Sequence, residues 1–242
     1  MDMMSPYEIV PILQGVPITS NRGALGWSSS TVIKAQDRVL LFDTGSCGDR
    51  SLFLSRLADQ GFSLDSIDLV VLSHFHFDHM VNAELFPASR VVLSAPELEY
   101  IQSGTFQQAK DPFVSQAHIH TLHSRLCPVD DRQEIAPGMQ VLLLPGHTPG
   151  SMGLWIPEQG IILTGDAVKN RYDFVHNTPP PCFGLQSEAL ASLHRIRSLA
   201  STILPGHDIP FSLAQDGSTQ PQCSPFPLHI TISSQLNRPN RT

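Results

Sequence analysis

Apolar and polar positions divide the chain into short strand-like runs, several of which break off at a charged or metal-binding residue. "GWSSSTVIKA" and "RVLLFDTG" predict two strands joined by a polar turn at Gln36-Asp37. "DRSLFLSRLADQGF" predicts a helix, with Leu52, Leu54, Leu57 and Ala58 near helical spacing and Gly61 as its stop. "IDLVVLS" reads as a buried strand ending at Ser73. A short helix through "MVNAELF", the strand "RVVLS" and a helix in "APELEYIQ" follow, and residues 104–134 read as polar and irregular. "MQVLLLPGH", "GIILTGD" and "TILPGHD" predict three further strand-then-loop units. "SEALASLHRIRSLA" predicts a helix with Leu190, Leu193, Ile196 and Leu199 on one face.

The prolines of "NTPPPCFG" exclude regular structure and suggest a rim loop, either an apolar wall or a rigid spacer. From Pro221 onward the chain is polar and proline-rich apart from "LHITI", which predicts an edge strand and then a frayed tail over 221–242. The whole, 1–242, reads as one layered α/β domain. Four apolar runs end at Asp43, His74, Asp166 and His207, and His147 follows a fifth. Ligand sites in α/β proteins gather outside strand ends, so these residues are expected to converge.

Composition narrows the function. Apolar residues make up 41% of the chain, enough for a core, yet no run of eighteen uncharged apolar residues would span a membrane. "MDMMSPYEIV" lacks a secretory signal's basic and apolar regions, which predicts a cytoplasmic protein. A net charge of −7 argues against a nucleic-acid surface. Cys47, Cys127, Cys182 and Cys223 are widely spaced and read as free thiols. The eleven histidines are concentrated in a few places.

"LVVLSHFHFDHM" is the densest of these places. Alternation puts the His74 and His76 imidazoles on one side of an extended segment, while Asp78 and His79 begin a new turn and face elsewhere. Such nitrogen and oxygen donors suit zinc, iron or manganese. Chance clustering in a solvated loop fits poorly with the apolar run just before them. "AHIHTLH", with His118, His120 and His123, has similar spacing, but no carboxylate or cysteine nearby completes a set, so it reads as a surface strand and loop.

"SHFHFDH" resembles the HxHxDH signature of the metallo-β-lactamase superfamily. "LFDTG", "PGHTPG", "LTGDAV" and "LPGHD" are similar to its other signatures, in the same order, over roughly residues 10–210. The resemblance implies a four-layer αββα sandwich, an α/β fold of the α+β type, with two divalent metal ions at one edge of the sheets. His74, His76 and His147 would hold the first ion, Asp78, His79 and His207 the second, and Asp166 both. Asp43 and Thr148 would orient ligand imidazoles; read by itself, Asp43 could equally be a turn residue before Thr44-Gly45. The implied chemistry is hydrolysis by a metal-bridging hydroxide, with Asp78 passing the proton onward.

Asp166 stands where the best-known zinc β-lactamases have cysteine. Only 35 residues follow His207, and 41 positions separate it from Asp166, leaving no room for the extra domains of larger relatives. The remaining plan is similar to the N-acyl homoserine lactonases, which implies a small-molecule cyclic ester as substrate and zinc as the leading metal. One position departs: Lys169 replaces the lactonase tyrosine three residues after the bridging aspartate. Lys169 could bond a carbonyl or carboxylate in the pocket, or be a solvated loop residue. Tyr172 could supply the missing phenol, and His176 could line the mouth or cap a turn. Phosphodiester or nucleic-acid hydrolysis, thioester or β-lactam hydrolysis, and a non-catalytic metal-binding module are the alternatives. The oligomeric state is left open, a homodimer being one arrangement.

Overall fold

A computed structural model of the chain describes residues 7–229 apart from Arg22 and Asp37. The expected turn at Asp37, the first six residues and positions 230–242 of the expected tail therefore lie outside the described residues. β1 (Glu8–Leu13) leads into the hairpin of β2 (Thr19–Ser20) and β3 (Gly23–Ala24), then β4 (Ser30–Lys34), β5 (Val39–Phe42) and helix α1 (Arg50–Asp59). β6 (Leu69–Val71), α2 (Phe77–Met80), β7 (Arg90–Ser94), α3 (Ala95–Gln102), α4 (Thr105–Gln108) and α5 (Gln116–Leu122) follow. Next come β8 (Leu126–Val129), β9 (Glu134–Ala136), β10 (Met139–Leu143), β11 (Met152–Ile156) and β12 (Ile161–Gly165). α6 (Arg171–Val175), α7 (Gln186–Leu199), β13 (Thr202–Pro205), β14 (Phe211–Leu213) and β15 (Thr219–Pro221) complete the order.

Among the described residues two large sheets, ordered β1-β4-β5-β6-β7-β8 and β15-β14-β13-β12-β11-β10-β9, stand beside the small β2-β3 sheet. Side chains alternate across each strand, and the alternation sorts the apolar residues into three layers. Ile33, Leu40, Phe42, Val71 and Val92 of the first sheet meet Val141, Leu154 and Leu163 of the second between the sheets. Their neighbours Val32, Leu41, Val70 and Val91 face outward onto Phe53 and Leu57 of α1, Ile101 of α3 and Ile119 of α5. On the far side, Leu142, Ile162 and Ile203 pack under Phe174 of α6 and Leu193 and Ile196 of α7. Helices thus cover both outer faces, giving the αββα sandwich.

Several local expectations need correction. In α1 the buried residues are Phe53 and Leu57, an i, i+4 pair, while Leu52 is 51% exposed. The face of α7 is turned toward Ala189, Ser192, Leu193 and Ile196, leaving Leu190 and Leu199 half-buried. The short helix starts at Phe77, so Asp78 and His79 lie within it, and Val81–Leu85 continues as a 3-10 turn. Residues 104–134 contain α4, α5 and β8 rather than irregular chain. His118 and His120 ride on α5, not on a strand, because Ile119 and Leu122 at helical spacing anchor that segment in the core. The edge strand of the second sheet is β15, which ends at Pro221; residues 222–229 are not in a strand.

Strand direction places the site. β5 and β6 run parallel in the first sheet, and β12 and β13 run parallel in the second. β10, antiparallel to β11, which is antiparallel to β12, shares their direction. All five carry their C-terminal ends to one edge. There the sheets are joined by a bond from the Met152 amide to the Ser73 carbonyl, 2.8 Å.

The layer under α1 depends on Phe53, which is fully buried with its ring edge-to-face with Phe86 at 6.0 Å. Phe53→Ala should cost about 3–5 kcal/mol in urea unfolding. A loss below about 1 kcal/mol would contradict this packing.

Candidate metal centre

The chain leaves β6, bends at Ser73 and His74, and enters α2 at Phe77 from an extended His76, so one short segment presents four donors in two directions. β5 supplies Asp43, the loop after β10 supplies His147, β12 runs into Asp166 and β13 into His207. Gly165 makes the approach of β12 possible. Its φ is +50°, and a Cβ there would lie 2.3 Å from the Ser73 Cβ.

Three overlapping groups of donors form: His74, His76 and His147; His74, His79 and Asp166; and Asp78, His79 and His207. In each, the donor atoms lie within 4.8 Å of one another, and all seven residues are buried. Asp166 lies between the groups. Its Oδ1 is 3.2 Å from Nε2 of both His79 and His207, and its Oδ2 is 3.5 Å from Nε2 of His147. The Asp78 Oδ2 lies 3.5 Å from the His207 Nε2.

Each of the five rings is bonded on its outward nitrogen. His74 Nδ1 meets the Ser73 Oγ at 2.9 Å, whose own proton goes to Asp43 at 2.8 Å. His76 Nε2 meets Asp111 at 2.9 Å, and His79 Nδ1 meets Asp43 at 2.8 Å. His147 Nδ1 meets the Pro181 carbonyl at 2.6 Å, and His207 Nδ1 meets the Trp27 carbonyl at 3.0 Å. Carbonyls and carboxylates only accept, and the Ser73 hydroxyl has already given its proton to Asp43, so every ring carries a proton on its outward nitrogen and, when neutral, turns a lone pair inward.

That arrangement is unfavourable without a positive charge. Nε2 of His74, His79 and His207 and Oδ1 of Asp166 are buried and make no hydrogen bond. His147 Nε2 and His76 Nδ1 face each other at 3.0 Å, both as acceptors in these tautomers. Buried polar atoms left unpaired cost roughly 1–3 kcal/mol each, which a shared cation would offset. The donor set therefore fits divalent metal, in two clusters joined at Asp166.

The local charges follow. Burial, then the neighbouring imidazoles, hold His74 well below the ordinary histidine value. Burial likewise pushes His147 down to about 3, with Asp166 opposing it. Burial also opposes charge on His79, but Asp166, Asp43 and Asp78 together hold it well above the ordinary value. Asp166 stays well below the usual carboxylate range because His207, Lys169 and His79 outweigh its burial.

The remaining sequence-derived residues are placed as follows. Asp43 both turns the chain, at φ +55°, and bonds His79 and Ser73. Thr148 needs correction, since its hydroxyl donates to Glu97 at 2.7 Å rather than meeting an imidazole. Lys169 has its ammonium 3.1 Å from the Asp166 Oδ2 and its side chain 29% exposed. Tyr172 is 68% exposed, and its ring stacks on His176 at 4.0 Å. His176 caps α6, its Nδ1 donating to the Tyr172 carbonyl. In the proline loop the wall is Phe183, 5.5 Å from the His76 ring.

Two buried carboxylates escaped sequence reasoning. Glu97 accepts from the Phe75 amide at 2.8 Å and from Thr148, tying the His74–His76 segment to the His147 loop. Asp111 supports His76. Nothing in "APELEY" or "KDPF" marks them, because their roles depend on burial that spacing does not encode.

The sequence pattern of the metallo-beta-lactamase superfamily matches residues 25–207. The chain is 26% identical over 178 residues to an N-acyl homoserine lactonase from Bacillus cereus, covering 70% of this chain and 64% of that protein, less than two thirds of its length. It is 27% identical over 213 residues to metallo-beta-lactamase domain-containing protein 1 of Mus musculus, covering 81% of this chain and 71% of that one. The solved structure of AidC, a dizinc quorum-quenching lactonase, superposes with a TM-score of 0.66 at 18% identity, over 82% of this chain and 80% of that chain. At that identity the likeness shows the fold.

Asp166, Asp43 and Asp78 favour a proton on His79 against its burial, and a cation binding at His79 Nε2 must displace any proton held there. Affinity should therefore fall as the pH drops, with protons released on binding. Zinc titration in buffers of differing ionisation heat would measure this, and pH-independent binding without proton release would contradict it.

Proposed function

The chain belongs to the metallo-beta-lactamase superfamily, and on that footing we propose that it is a dinuclear metal-dependent hydrolase opening a cyclic ester of the N-acyl homoserine lactone type. The observation that carries the reading is the set of inward lone pairs on five buried imidazoles, with Asp166 between them. In this reading His74, His76 and His147 hold one cation, Asp78, His79 and His207 hold the other, and Asp166 serves both. Zinc suits the donors best, and iron or manganese would be accommodated. Such a pair, when bound, makes water a nucleophile near neutral pH and polarises the acyl oxygen, so no serine or cysteine nucleophile is required.

The chain's own residues do the rest. Asp78, whose side chain is the most exposed of its group at 10%, takes the proton released on attack and returns it to the leaving oxygen. Lys169 donates a charge-assisted hydrogen bond to the substrate's acyl oxygen, in place of a tyrosine hydroxyl. Support for this comes from its 3.1 Å separation from Asp166 and its partial exposure. Asp166 raises the Lys169 pKa, so the ammonium stays charged at neutral pH. Phe113 and Phe183, at 5.3 and 5.5 Å from the His76 ring, give an apolar surface beside the reacting group. The lactonase relatives support the substrate class.

Metal-loaded protein should open acyl homoserine lactones, lose that activity on chelation and regain it with zinc. Failure to turn over any member of a lactone panel, with two cations bound, would refute the substrate assignment. Lys169→Met should lower kcat/KM by about 10- to 100-fold while leaving metal content unchanged. An unaltered kcat/KM would remove Lys169 from the reaction.

A further inference from the structure

We propose that Asp111 is a positioning residue that fixes the tautomer and tilt of His76, and thereby the affinity of the cation position formed by His74, His76 and His147. This rests on the metal-centre reading above. Among the five rings His76 differs from the rest: it turns Nδ1 inward, toward His147, while the other four turn Nε2. Nδ1 sits next to the ring's attachment point, so the far nitrogen, Nε2, is where the ring can be held in place. Asp111 holds it there at 2.9 Å, with its own side chain fully buried.

The carboxylate is itself fixed by two further donors. The Tyr100 hydroxyl donates to the same oxygen, Oδ2, at 2.9 Å, and the Phe113 amide donates to Oδ1 at 2.9 Å. A carboxylate with three donors has only acceptor positions to offer His76, so the imidazole proton must stay on Nε2 and the Nδ1 lone pair stays free. The same tripeptide reaches the mouth of the site. The Phe113 carbonyl accepts from the Phe77 amide at 3.0 Å, and the Phe113 ring lies 5.3 Å from His76 and 5.9 Å from Phe183. Residues 111–113 thus join the apolar wall to a candidate ligand.

This geometry makes an unusual ordering of variants. The Phe113 amide is a permanent donor, so in D111N the amide oxygen must face it, and the NH2 must face His76 Nε2. The imidazole proton then moves to Nδ1 and blocks the inward lone pair. D111A removes the hold without imposing the wrong tautomer. D111N should therefore bind the first cation more weakly than D111A, although asparagine is the closer match in shape. A merely structural role predicts the reverse order.

The experiment is cobalt(II) titration of metal-free full-length protein, followed by absorption spectra and metal content, with 15N histidine spectra to assign the His76 tautomer. Wild type should take up two cations. D111A should lose about 10- to 100-fold in affinity for one of them, and D111N should lose more, with the His76 proton on Nδ1. Y100F, which keeps the His76 bond, should stay within a few-fold of wild type. Uptake of two cations by D111A or D111N with wild-type affinity, or D111A weaker than D111N, would overturn the proposal. Should D111N fail to fold, wild-type affinity in D111A alone would overturn it and the 10- to 100-fold loss would support it. Fewer than two cations in wild type would instead overturn the metal-centre reading, so the two failures are distinguishable.

Discussion

Five imidazole lone pairs and two carboxylates are buried at one edge of a β sandwich, turned toward one another. Left alone, this arrangement is costly: acceptors face acceptors, and four buried atoms have no hydrogen bond. Much of the surrounding structure serves to maintain it. Five strands point the same way, the sheets are pinned together at Ser73, and Gly165 lets the strand carrying Asp166 approach to contact distance. A fold whose polar edge were merely solvated would have no need of these close approaches.

The outward faces of the rings matter as much as the inward ones. Ser73, Asp111, Asp43 and the carbonyls of Pro181 and Trp27 set five tautomers at once. Two carboxylates at the same edge, Glu97 and Asp111, are not among the inward donors and come from α3 and the loop before α5. The helical layer over the first sheet therefore contributes to the candidate site as well as to the core. Lys169 brings an ammonium group onto the central aspartate.

Much of this was legible in the sequence. Strand runs ending at Asp43, His74, Asp166 and His207 announced both the sheets and the convergence, because apolar runs and their polar ends are local signals. What remained hidden was set by tertiary packing. The spacing of Leu52, Leu54, Leu57 and Ala58 suggested a helix but not its face, which Phe53 decides by meeting Phe86. Alternating histidines in "AHIHTLH" imitated a strand, and only Ile119 and Leu122 entering the core reveal a helix. Thr148 was assigned from the family resemblance and Tyr172 from its place on the Lys169 loop, yet Thr148 bonds Glu97 and Tyr172 stacks on His176. Asp111 lies 35 residues from the ring it supports, and no spacing rule connects them.

The central claim is that the inward lone pairs exist to hold two cations. Anomalous diffraction at the zinc edge, from crystals of protein grown with zinc, addresses it most directly. The account predicts two peaks per chain, one among His74, His76 and His147 and one among Asp78, His79 and His207, each within bonding distance of Asp166. A protein that crystallises with the edge intact and shows no peak there, or peaks only at the histidines of α5, would contradict it.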